Sequence, residues 1–152
     1  MSLISKLKAN VETFGLEYIY DSTGGVNKMV DNADYSDGKC VVYSFLLSQS
    51  QFNDGIESAT IGLFFSKLTD FDFESIENDT LQQECKEIAF EFIKFINAGN
   101  ELTISNAIQL TYFYDEFDVN VTGVAINATF TESVGLCYNT TYYEKPPEQQ
   151  MP

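Results

Sequence analysis

Asn78-Asp79-Thr80-Leu81-Gln82-Gln83-Glu84-Cys85-Lys86-Glu87-Ile88-Ala89-Phe90-Glu91-Phe92-Ile93-Lys94-Phe95-Ile96-Asn97-Ala98-Gly99 decides the fold of this chain of 152 residues. Leu81, Cys85, Ile88, Phe92, Phe95 and Gly99 recur at alternating spacings of four and three, and Ala89 and Ile96 widen the stripe. That period predicts a helix with one apolar face. Gln82, Gln83, Lys86, Glu87 and Lys94 take the other side. Asp79 followed by Gln82 reads as a capping box, and Gly99 as a left-handed stop. A helix over 79–98 can bury its apolar face only against a sheet or another helix.

Strands on both sides supply that sheet. Upstream, Cys40 to Ser48 carries Val41, Tyr43, Phe45 and Leu47 on one face and Val42 and Leu46 on the other. Asn53-Asp54-Gly55 is a hairpin signal, and Ile61, Leu63 and Phe65 alternate on the partner from about Glu57 to Phe65. Downstream, Ile108, Leu110, Tyr112 and Tyr114 alternate before the turn Asp115-Glu116-Phe117-Asp118. The returning strand carries Val119 and Val121, then Val124, Ile126, Ala128 and Phe130. Its apolar positions change from odd to even at Gly123, which predicts a β-bulge at Thr122-Gly123. Further upstream, Leu3, Leu7, Val11 and Phe14 predict a first helix over Ser2 to Phe14, ended by Gly15. Leu16 to Tyr20 alternates as a short strand, and Val26 to Val30 offers one helical turn in the polar stretch 21–39. A stretch of that kind is expected to be functional or mobile. The expected class is α+β: an antiparallel mixed sheet of two β-hairpins packed on one long amphipathic helix, with an N-terminal helix. Residues 1–143 form the expected single domain, and 144–152, with Pro146-Pro147, a flexible C-terminal tail.

Charge excludes more than it identifies. The net charge is −15, with 23 acidic residues against 8 basic ones, and every basic residue is Lys. Arg, His and Trp are missing. Without the bidentate guanidinium fork, and with a field that repels phosphate, nucleic-acid binding is not expected. No apolar run approaches the roughly 18 residues that span a bilayer, and Met1 to Lys8 is too polar for a secretory core, so a cytoplasmic protein is expected. The Asn-x-Thr triplets at Asn78, Asn120, Asn127 and Asn139 then carry no glycosylation. Cys40, Cys85 and Cys137 are too scattered for a disulfide framework or a zinc site and read as buried thiols.

Catalytic signatures are missing as well. Without histidine there is no Ser-His or Cys-His pair, and Gly24-Gly25 lacks the Gly-Lys that completes a phosphate loop. Asp70, Asp72, Glu74 and Asn78 alternate as calcium ligands do. Ser75 replaces the turn glycine there and Leu81 the bidentate glutamate, so the stretch reads as a solvated acidic connector. No catalytic residue, cofactor or metal is expected.

The order helix, short strand, irregular loop, hairpin, long helix, final hairpin resembles that of the tail-terminator, or tail-completion, proteins of tailed bacteriophages. Three stretches carry the likeness over about residues 1 to 132. They are Cys40-Val41-Val42-Tyr43-Ser44-Phe45 with Thr60-Ile61-Gly62-Leu63-Phe64-Phe65, the run Asp70-Phe71-Asp72-Phe73, and the hairpin Ile108 to Phe130. The resemblance implies a virion structural protein, assembled in the host cytoplasm. It would form a ring with copies of itself and contact tail-tube and neck or connector proteins. Acidic residues would line its lumen so that DNA slides past, with Asp31 and Asp34, or Asp115, Glu116 and Asp118, as the lumen-facing candidates. A different reading is a small cytosolic binding module whose Tyr and Phe sheet face takes a hydrophobic ligand or peptide.

Overall fold

The computed structural model describes residues 2–69, 75–105 and 107–132. Chain order is α1 (Leu3–Phe14), β1 (Glu17–Asp21), α2 (Thr23–Asp31), a 3-10 turn (Ser36–Gly38), β2 (Val41–Phe45), β3 (Gln51–Asn53), β4 (Ile56–Leu68), α3 (Ser75–Ala98), β5 (Leu102–Ile104), β6 (Gln109–Glu116) and β7 (Val121–Glu132). The class is α+β, with three α-helices on a seven-stranded mixed sheet. The expected tail 144–152 lies outside the described residues, as do Cys137 and Asp70 to Glu74.

Helix α3 forms where the periodicity places it and ends at Ala98 as expected, but it starts earlier. It starts at Ser75, so Asp79 lies a turn inside the helix and does not cap it. Gly99 takes no left-handed φ; its N–H donates to the Ile96 carbonyl at 3.0 Å, a 3-10 closure. The fully buried line is Cys85, Ala89, Phe92 and Ile96, with Ile88 and Phe95 half-buried beside it. Helix α1 begins at Leu3, one residue inside the expected start, and Ser2 caps it: its hydroxyl accepts the Ser5 N–H at 3.1 Å. It closes with paired bonds from Gly15 to Glu12 and from Leu16 to Val11.

Strand order is β1-β2-β4-β7-β5, with β3 also on β4 and β6 also on β7. Both expected hairpins form, but the first has a split arm. Asp54-Gly55, at φ 53° and 79°, turns a two-residue hairpin with Asn53 opposite Ile56. Its first arm is broken into β3 beside the turn and β2 farther along the same edge of β4, Val41 opposite Ser66, and β1 runs parallel to β2 outside the two hairpins. Strand β5 was not visible in the alternation.

The bulge falls on the other strand. Strand β7 pairs with β4 without interruption from Leu68↔Val121 to Ser58↔Thr131, so Thr122-Gly123 holds no extra residue. The register slips on β6, between Phe113 and Glu116, where Asp115 takes a φ of 53°. The change of parity at Gly123 has a different cause: both faces of the sheet are covered there. Val124, Ile126, Ala128 and Phe130 face α1 and α3 in one core, with Leu7, Leu63, Phe65 and Phe92. Val121 faces the opposite way, in a second core with Val26 and Val30 of α2, Ile19, Tyr43 and Phe113. The sheet is thus the middle of three layers, and the stretch 21–39 is ordered by that second core. Its helix α2 is longer than the single expected turn and is capped by Ser22, whose hydroxyl accepts the Gly25 N–H at 3.3 Å.

Candidate functional site

The two acidic segments singled out in the sequence, 31–34 and 115–118, are far apart in the chain and adjacent in space. Asp31 ends α2 and Asp118 lies in the turn between β6 and β7. Asn27 of α2 joins them: its Nδ2 donates to Asp118 Oδ2 at 3.2 Å, and the Asp118 N–H donates to Asn27 Oδ1 at 3.3 Å. Asp31, Asp34 and Asp118 line one cleft of about 550 Å³, floored by Val30, Tyr35 and Val119. Asp115 and Glu116 do not reach it; both are exposed at the bulged end of β6, where the Asp115 N–H donates to Thr122 Oγ1 at 3.3 Å.

Asp34 differs from the other four. Lys39 Nζ lies 2.8 Å from its Oδ2, and the Ser36 hydroxyl and N–H donate to its Oδ1. The Lys39 ammonium, helped by Ser36, holds its carboxyl well below the usual range. Its charge is therefore met locally, and the turn 34–39 is stapled by it.

Beside the acidic end runs β6, whose sole strand neighbour among the described residues is β7. Tyr112 and Tyr114 stand exposed on it. The Gln82 side chain of α3 covers the Phe113 carbonyl at 2.9 Å. Lys, Pro and Gly do not occur between Gln109 and Glu116, so among the described residues the Gln82 side chain, the bulge and the acids at its end guard this edge.

A second, larger cleft was not foreseen. It measures about 820 Å³ and lies where the end of α1, the start of β1, the turn 34–40 and the middle of α3 converge. Its residues are scattered from Phe14 to Glu91, and spacing along the chain gives no signal for that convergence.

Buried polar groups tie strands and turns of the fold together. The Tyr35 hydroxyl meets Ser66 Oγ at 2.8 Å, and Ser66 donates to the Val41 carbonyl at 2.7 Å. Cys40 and Cys85 are both free and buried. Their mutual contact and burial push the Cys85 thiol up, the opposite of what activates a nucleophile. No group of three His, Cys, Asp or Glu side chains placed to hold a metal ion occurs among the described residues, and no helix among them is long and apolar enough to cross a membrane. No protein-family model and no curated protein matches the chain, so the reading of this site rests on its own geometry.

Proposed function

We propose that this chain is a non-enzymatic structural subunit of a tailed-phage virion, assembling with copies of itself into a ring at the head-proximal end of the tail. The observation that carries the reading is the convergence of Asp31, Asp34 and Asp118 on one cleft beside Asp115 and Glu116, at the end of an open strand edge. One end of the subunit is acidic, and among the described residues only Asp34 there is met by a lysine. The neighbouring edge has no second strand beside it among the described residues and carries two exposed tyrosines, which suit subunit contact. In a ring with that end inward, DNA would meet like charge and pass without sticking. The reading as a module with an open aromatic sheet face has less support. Tyr43 stacks on Phe64 with centroids 4.9 Å apart and meets Phe113 and Phe117 edge-on, so these rings already pack in a core.

Sedimentation velocity and negative-stain microscopy, with and without the tail-tube protein of the same virus, test this proposal. Rings, alone or on the tube end, are expected, and Tyr112→Lys with Tyr114→Lys is expected to leave folded monomers. A wild-type chain that stays monomeric under both conditions overturns it.

A further inference from the structure

The larger cleft has the character of a docking groove. Its apolar lining is Phe14, Leu16, Cys40 and Ile88, and the first, second and fourth of these are only half-buried. Around them stand the carboxylates of Glu17, Asp37, Glu87 and Glu91. Glu87 and Glu91 lie one turn apart on α3, so both project to the same side of that helix. The only cation in the lining among the described residues, Lys39, is already held by Asp34. Glu91 meets Lys94 at 3.2 Å, but both side chains are mostly exposed, and such a pair exchanges readily. The volume, about 820 Å³, is that of sites that bury a ligand.

We infer that this groove docks a basic amphipathic segment of a partner protein. Its apolar face lies on Phe14, Leu16 and Ile88, and its lysines or arginines reach Glu17, Asp37, Glu87 and Glu91. Charge complementarity selects the occupant. A second copy of this chain has little to offer this rim, with eight lysines and no arginine among its basic residues. An anionic membrane surface is repelled by the same carboxylates. A small polyamine would satisfy the carboxylates and leave the apolar floor wet, whereas an amphipathic helix covers both. The inference does not depend on ring formation, since β6 takes no part in the groove.

Fluorescence anisotropy with a labelled Leu/Lys amphipathic peptide of about 18 residues, five helical turns, provides the test. The peptide is expected to bind. Neutralising the rim with Asp37→Asn, Glu87→Gln and Glu91→Gln is expected to weaken binding about tenfold. These side chains are exposed, and circular dichroism checks that the variant stays folded. Ile88→Asn is expected to weaken binding without changing its salt dependence. A control with the same loss of charge elsewhere, Glu57→Gln, Asp79→Asn and Glu101→Gln, is expected to leave affinity within about twofold. The inference is overturned if the control loses as much as the rim variant, which would mean bulk charge alone attracts the peptide. It is equally overturned if spermine displaces the peptide while Ile88→Asn has no effect, or if Ile88→Asn changes the oligomeric state.

Discussion

Gly123 shows how a single residue can be read correctly as special and for the wrong reason. Its position at a parity switch suggests a bulge, but β7 runs straight through it. The constraint is the backbone of β4: a Cβ at Gly123 would overlap the Phe65 carbonyl oxygen and crowd Ser66. Only a residue without a side chain allows that approach. Gly123→Ala is expected to cost about 1–3 kcal/mol, as overpacking of a filled interior does, read as a lower urea midpoint with an unchanged slope. If the variant is as stable as the wild type, the two strands do not sit this close. Nothing in the local sequence could have revealed this, because the atom that collides comes from Phe65. The acidic residues were easier. Asp31, Asp34 and Asp118 could be picked from charge and loop position, but the Asn27 side chain that brings two of the segments together could not.

At the scale of elements, legibility follows how local the determining forces are. Helices α1 and α3 and strands β4, β6 and β7 were foreseen because each carries its own periodicity over many residues. The start of α3 was missed because Asp79-x-x-Gln82 resembles a cap while the helix already runs through it. Helix α2 was foreseen only as a single turn, since Gly24 and Gly25 are poor helix formers and the burial of Val26 and Val30 overrides them. The pairing of β2 with β4 follows from the turn at Asp54-Gly55, but the break between Phe45 and Gln51 was hidden because the alternation reads as one strand through Ser48. One long-range tie anchors two ends of the fold. Lys6 of α1 lies 3.1 Å from Glu132, the last residue of β7, and both side chains are largely buried. Glu132 also accepts the Glu57 N–H at 3.2 Å. Lys6→Met is expected to destabilise by about 3–5 kcal/mol, because it strands a buried carboxylate. Adding Glu132→Gln should recover much of that loss in the same denaturation assay. A single substitution that proves harmless would show the pair to be solvated.

For the whole molecule, three buried phenols set an upper pH limit. Burial pushes Tyr18 from 10.0 up to about 12, and raises Tyr35 and Tyr43 further. A group whose folded pKa is raised contributes stability that is complete below its unfolded pKa and lost as pH climbs toward the folded one. Stability against urea is therefore expected to hold up to about pH 10 and to fall steeply from there to about 12. Tyrosinate absorbance from these rings should rise together with unfolding rather than ahead of it, and an earlier rise would mean that the rings meet water in the native state. The paired strands β4 and β7 have a further consequence, since they form the partition between the two cores. A partition shared by two rooms cannot be taken down from one side alone. Neither half of this protein can melt and leave the other standing, so a disturbance under α2 will be felt at α3, and the molecule holds or gives way as one unit.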